Sequence, residues 1–209
     1  MKKVGLLGGT FDPIHRGHLQ LAEAALKEFE LDKVLFIVAA NPPHKDVSAL
    51  LPFQKRFEMA ELACEKYPYF ECSDIEEKLP SPTYTVNTLQ ALREKYPEVS
   101  FYFIIGEDAF IEIASWKQYK ELLSTTFFIL SCREPVNKSS VDIFLGQLGF
   151  EQQGNCWLHP DYQPIRKLKT TPEEISSTVI RNDCNSKDVL QKLLPENVLH
   201  FIEKHSLYK

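Results

Sequence analysis

The chain has 209 residues, 44% hydrophobic and 25% charged, the composition of an ordinary globular protein rather than of a disordered or membrane-spanning one. Lys plus Arg number 24 against 29 Asp plus Glu, a formal charge of −5 with no block of like charge. That balance excludes a general nucleic-acid or anionic-membrane binder, so any anion site must be local.

The opening Met1-Lys2-Lys3 leads into a core strand rather than a signal segment, because glycines and Asp12 interrupt the apolar run before an h-region develops. Val4 to Leu7, Val34 to Val38, Phe101 to Ile105 and Thr126 to Leu130 are near-continuous apolar runs, suited to strands covered on both faces. Leu19, Ala22, Leu26 and Phe29 recur at helical spacing after the first run, and further helical patterns lie around Arg56 to Lys66 and Thr85 to Lys95. The alternation predicts an α/β fold: a Rossmann-like doubly wound parallel sheet, helices on both faces, and ligands in the crevice beyond the carboxyl ends of the strands. Beyond Glu134-Pro135 the pattern weakens. Ser139 to Gly149 reads as a short helix, and Trp157 to His159 and Ile165 to Leu168 as strands around a Pro-containing turn. From Thr171 the chain returns to helix, with amphipathic segments over Val189 to Leu194 and Val198 to Leu207. The expectation is one domain over 1–209 with a small helical C-terminal cap over about 171–209.

No run approaches the roughly 18 apolar residues of a membrane span, which predicts a cytoplasmic protein with no membrane partner. Cys64, Cys72, Cys132, Cys156 and Cys184 are odd in number and none lies two or three residues from another. They suggest neither a zinc knuckle nor a redox pair, and read as free, mostly buried thiols.

Gly8-Gly9-Thr10 follows the first strand, where backbone without Cβ can turn sharply and present N–H groups to an anion. The spacing fits neither a dinucleotide-binding fingerprint nor a P-loop. His15-Arg16-Gly17-His18 comes next, placing two imidazoles one turn apart at a helix N-terminus, where the dipole favours phosphate and an imidazole N–H can donate to it. Taken singly, His15 reads as a turn cap and His18 as core packing; beside the glycine turn the pair reads as a phosphate cradle. About 160 residues on, Ile175-Ser176-Ser177-Thr178-Val179-Ile180-Arg181 offers three hydroxyls and then an arginine, a second half of a phosphate clamp. Its plain alternative is a capped helix starting at Thr171-Pro172-Glu173-Glu174, whose acidic first turn would repel phosphate.

The stretch Gly8 to His18 resembles the signature of the HxGH nucleotidylyltransferase superfamily, and ISSTVIR resembles its second signature in the form used by bacterial nicotinate-nucleotide adenylyltransferases. The resemblance extends through Asn41-Pro42-Pro43-His44-Lys45, Arg56 to Ala60, Pro82 to Leu89, and Gly106 to Phe110 leading to Trp116. Singly these have dull readings: Pro-Pro as loop stiffening, Arg56 as a solvated helix face, Thr85 as an N-cap, Trp116 as core. First-class aminoacyl-tRNA synthetases share the HxGH idea, but their Lys-rich loop is missing here.

The resemblance implies transfer of the adenylyl group of ATP to nicotinate mononucleotide, with Mg2+ carried by the nucleotide and no all-protein metal site. It assigns catalysis to His18, His15 and Arg181. ATP binding falls to Gly8, Gly9, Thr10, Phe11, His15, His18, Arg133, Ser176, Ser177, Thr178 and Arg181. Nicotinate mononucleotide binding falls to His44, Lys45, Thr85, Asp108, Trp116 and Lys117, with the tryptophan stacked on the pyridine and N–H groups taking its carboxylate. Asp108 reads alternatively as a helix N-cap, and Arg133 as a surface arginine. The chain departs from the family at Lys117, where an aromatic or histidine is usual, and at Asn87, where aspartate is usual. Lys117 is expected to strengthen preference for the acid over the amide. Rival readings are an adenylyltransferase for nicotinamide mononucleotide or pantetheine phosphate, and a nucleotide-binding regulator without turnover. A homo-oligomer stays open at this level.

Overall fold

The computed structural model describes residues 2–43, 47–131, 140–170, 173, 175–182 and 187–208. In chain order these form β1 (Lys2–Gly9), α1 (Arg16–Glu28), β2 (Lys33–Val38), α2 (Phe53–Cys64), β3 (Phe70–Ser73) and α3 (Thr85–Lys95). Then follow β4 (Val99–Gly106), α4 (Glu107–Phe110), α5 (Tyr119–Thr125), β5 (Phe127–Ser131) and α6 (Ser140–Gln147). The chain closes with β6 (Glu151–Gln153), β7 (Cys156–Leu158), β8 (Ile165–Lys167), α7 (Ser177–Asn182), α8 (Lys187–Leu193) and α9 (Glu196–Lys204).

The strands lie in one sheet in the order β3-β2-β1-β4-β5-β8-β7-β6. Pairing is parallel from β3 through β8 and antiparallel for β7 and β6. The chain winds outward from β1 to β3, then returns to β4 on the other side of β1, so a crevice opens beyond the ends of β1 and β4.

Period-2 alternation explains why the middle of each central strand is a near-continuous apolar run. Leu7, Phe36, Ile104 and Ile129 face one apolar cluster with residues of α1, α2, α8 and α9. Their neighbours Leu6, Leu35, Phe103 and Phe128 face a second cluster with residues of α3, α5 and α6. The closing helices share the first cluster through Leu190, Val198, Leu199 and Ile202. Among the described residues no helix is long and apolar enough to cross a membrane.

One expectation changes, that for the last helical region, and two further features were not foreseen. β3 and β6, reading FECS and EQQ, carry no apolar run, because edge positions leave most of their residues outside the core. The last helical region does not begin near residue 171: Glu173, Ile175 and Ser176 are non-helical and α7 starts at Ser177. The Glu173 N–H donates to Gln20 Oε1 at 3.2 Å, so this segment is held by α1 instead of by its own turns. Cys64 and Cys72, eight apart in sequence, meet with their Sγ atoms 3.6 Å apart as free thiols, because α2 and β3 pack side by side. Cys132 and Cys184 lie outside the described residues.

Candidate active site

β1 delivers Gly8 and Gly9 to the crevice, and the turn beyond them is held by sterics. A Cβ on Gly9 would lie 2.9 Å from the ring of Phe11, which is itself 1% exposed and has nowhere to go. Phe11 adopts a left-handed φ of 48°, which tucks its ring against Phe36 and edge-on to His18 at 5.1 Å between centroids. The Phe11 side chain is thus a buried support for His18 as well as part of the crevice wall.

α1 begins at Arg16 with His15 as its N-cap. The two imidazoles stack at 3.6 Å, and the backbone N–H of His15 donates to His18 Nδ1 at 3.2 Å. A nitrogen that accepts cannot carry the proton, so neutral His18 is protonated at Nε2. Capping the helix thus leaves Nε2 as the His18 nitrogen that can carry an N–H. Gly17 adds close approach, since a Cβ there would meet the Glu173 carbonyl at 3.1 Å and His15 Nδ1 at 3.2 Å. The first turn of α1 holds no acidic residue to repel an anion.

α7 brings the second motif to the first. Ser177 Oγ donates to the Pro13 carbonyl at 3.0 Å, so this hydroxyl's proton is spent on joining the two motifs. Arg181 donates through Nη1 to the Asp12 carbonyl at 2.7 Å and through Nη2 to Thr178 Oγ1 at 3.2 Å. Its guanidinium has three further N–H groups. Ser176 and Thr178 are exposed at the cleft edge.

Across the crevice, Tyr84 caps α3, which starts at Thr85 and has no acidic residue in its first turn. Asn87 sits in that turn, so no acidic side chain there offsets the positive end of the helix. Trp116 is half-buried, edge-on to Phe103 at 6.4 Å, and Lys117 lays its ammonium over the Tyr84 ring at 4.5 Å. Asp108 lies within the first turn of α4, whose N-cap is Gly106, and is exposed to the crevice.

Two buried charged groups hold this half in place. Arg56, the expected solvated helix residue, is 1% exposed. It donates to the carbonyls of Thr10 at 2.8 Å, Ala39 at 2.7 Å and Leu51 at 2.9 Å, tying together the loops that leave β1 and β2. Burial lowers its pKa, and the nearby carboxylates Asp12 and Glu76 oppose that. Glu76 accepts from the Ala40 N–H at 3.2 Å and Thr88 Oγ1 at 2.9 Å, linking the β2 exit to α3. Burial pushes its pKa up, against the hydrogen bonds of Thr83, Thr88 and Ala40 and the charge of Arg56.

Together these walls enclose a cleft of about 1080 Å³. Gly8, Gly9, Thr10, Phe11, His15 and His18 line one side of it, joined by Ser176 just before α7 and by Ser177, Thr178 and Arg181 within it. Thr85, Asp108, Trp116 and Lys117 line it from the other half. His44, Lys45 and Arg133 lie outside the described residues. Glu76 escaped the sequence reading, and Arg56 entered it only within a family stretch and as a solvated helix face, because a charge on a helical pattern or a 3-10 turn reads as solvated until its neighbours are known. Among the described residues no group of three or more His, Cys, Asp or Glu side chains is placed to hold a metal ion.

The sequence model of the cytidylyltransferase-like family matches residues 6–183, a span that runs from the first motif through the second. Fold and cleft thus define a nucleotidyltransferase of the cytidylyltransferase-like class. A protein of Desulfotalea psychrophila, named "Probable nicotinate-nucleotide adenylyltransferase", is 45% identical over 211 residues, covering all of both chains. A Desulfitobacterium hafniense (strain Y51) protein of the same name is 40% identical over 209 residues, covering 100% of this chain and 96% of its own. The chain belongs to the nicotinate-nucleotide adenylyltransferase family. Its fold is shared with Plasmodium falciparum nicotinic acid mononucleotide adenylyltransferase complexed with NaAD, at TM-score 0.75 and 20% identity, covering 100% of this chain and 98% of that one.

Proposed function

We infer that this protein is an enzyme of NAD biosynthesis that transfers the adenylyl group of ATP to nicotinate mononucleotide, giving nicotinate adenine dinucleotide and pyrophosphate. The observation that carries the reading is the meeting of the HRGH and ISSTVIR motifs in one cleft, opposite Trp116, in a chain with full-length relatives of that name.

In this reading a 5′-phosphate oxygen of nicotinate mononucleotide attacks the α-phosphorus of ATP in line. The new P–O bond forms as the bond from the α-phosphorus to the bridging oxygen breaks, and pyrophosphate leaves with that electron pair. No protein nucleophile is required, so rate comes from positioning and from charge stabilisation. The Nε2–H of His18 donates to the α-phosphate, where charge develops, and His15 lies beside it at the start of α1. The Gly8 to Thr10 turn and Arg181 hold the remaining phosphates. Trp116 supplies the face for the pyridine ring, and Thr85 and the positive end of α3 lie toward its carboxylate. Lys117 adds a fixed cation on that side, which favours the acid over the amide. Mg2+ would be carried by the nucleotide's own phosphates and would supply charge neutralisation along the triphosphate. The proposed location is the cytoplasm, where the thiols Cys64, Cys72 and Cys156 stay reduced.

The test is pyrophosphate release from ATP with nicotinate mononucleotide, nicotinamide mononucleotide or pantetheine phosphate as acceptor. Release is expected to be fastest with nicotinate mononucleotide. Binding of ATP with no release on any acceptor would instead favour the regulator without turnover.

A further inference from the structure

Beyond α9 the chain reverses. Ser206 takes a left-handed φ of 51°, its N–H donating to the Glu203 carbonyl, and the Leu207 N–H donates back to the Ile202 carbonyl. This reversal carries Tyr208 to the loop of the first motif, where its hydroxyl donates to Asp12 Oδ1 at 2.5 Å. Asp12 is 1% exposed, and its second oxygen accepts the Leu51 N–H at 3.3 Å. Arg181, the cation of the second motif, holds the backbone carbonyl of this same residue at 2.7 Å. Arg181 and Arg56 also lie close enough to act electrostatically on the Tyr208 hydroxyl.

A guanidinium pairs more strongly with a carboxylate than with a neutral carbonyl, roughly twofold in energy. Arg181 nevertheless bonds the Asp12 carbonyl, while neutral donors occupy the Asp12 carboxylate. We propose that Tyr208 is a positioning residue for the adenylyl donor: by occupying the Asp12 carboxylate it keeps Arg181 on the backbone carbonyl, with the rest of its guanidinium turned to the ATP phosphates. Without the hydroxyl, a buried carboxylate short of a donor draws Arg181 inward, and the phosphate side of the cleft loses its cation. The Leu51 N–H cannot substitute, because it is already bonded to the other carboxylate oxygen. This inference rests on the adenylyl-transfer reading above.

The test uses the full chain as parent, Tyr208→Phe, and Tyr208→Phe combined with Asp12→Asn, with ATP and nicotinate mononucleotide binding measured by calorimetry beside steady-state kinetics. Tyr208→Phe is expected to raise Kd and KM for ATP about fivefold or more, the size of one weakened phosphate contact. Binding of nicotinate mononucleotide should stay within about twofold, on the same scale, and any fall in kcat should be reversed together with the ATP affinity by Asp12→Asn. Adding Asp12→Asn removes the competing charge and should return ATP affinity toward the parent value. An unchanged ATP Kd in Tyr208→Phe overturns the proposal, whatever happens to its melting temperature, and so does a loss that Asp12→Asn leaves uncorrected. If the double variant does not fold, equal loss of both substrates in Tyr208→Phe overturns it and selective loss of ATP supports it. A parent that binds ATP but transfers nothing fails the adenylyl-transfer reading alone, because the ATP Kd comparison remains readable. A parent that binds no ATP overturns both.

Discussion

One backbone hydrogen bond decides what His18 can offer. The His15 N–H takes Nδ1, which leaves Nε2 as the nitrogen that can present an N–H to the cleft. His18→Ala removes that donor and should lower turnover by about 10²- to 10³-fold, the usual cost of losing one charge-stabilising donor. Nicotinate mononucleotide affinity should survive, which calorimetry can check; near-normal turnover would remove His18 from the mechanism. Lys117 sits on the acceptor side with its ammonium over Tyr84. Lys117→Ala should narrow the ratio of kcat/KM between nicotinate and nicotinamide mononucleotides by several-fold, on the scale of one exposed charge interaction of up to about 1 kcal/mol. An unchanged ratio would sink that role. Both residues were visible in the sequence as departures from blandness, a pair of histidines and a family mismatch. The tautomer and the cation–π contact were not, because each depends on a partner whose orientation only the folded turn defines.

The element that matters most for the donor half is the junction of β1 and α1. Gly9 must be glycine because the Phe11 ring fills the space of its Cβ, and Phe11 in turn braces His18. Gly9→Ala is expected to cost about 1–3 kcal/mol through overpacking. Turnover should fall with it, since the displaced ring shifts His18. Denaturant unfolding and the pyrophosphate assay together check this, and a variant with parental stability would show that the ring has room. This junction was legible from Gly8-Gly9-Thr10 and the helical spacing that follows. So were β1, β2, β4 and β5, whose middle positions are covered on both faces and carry near-continuous apolar runs. β3 and β6 were not legible, since an edge strand needs no such run. The start of α7 was misplaced because Glu173, which reads locally as part of a helix opening, is non-helical and bonded to Gln20 of α1.

At the scale of the whole molecule, the cleft is a set of loops from distant parts of the chain held by a few buried charges. Arg56 on α2 satisfies carbonyls of Thr10, Ala39 and Leu51 at once. Arg56→Met would leave those carbonyls without their donor, at an expected cost of about 3 kcal/mol or more. A lower urea midpoint at unchanged m-value would report it; an unchanged midpoint would mean that water replaces the guanidinium without loss. The same logic binds Asp12, Arg181 and Tyr208, residues separated by up to 196 positions.

By itself the sequence determined the class of fold, the two phosphate motifs and the family, because strand burial and anion chemistry are written in local patterns: apolar runs, a glycine turn, imidazoles and hydroxyls at helix starts. Only the tertiary structure decided that Arg56 and Glu76 are buried supports, that Ser177 joins the motifs through Pro13, and that Tyr208 reaches Asp12. Local spacing cannot express which distant carbonyl or carboxylate a charged side chain will meet. For a buried charge, that meeting sets both its energy and its role.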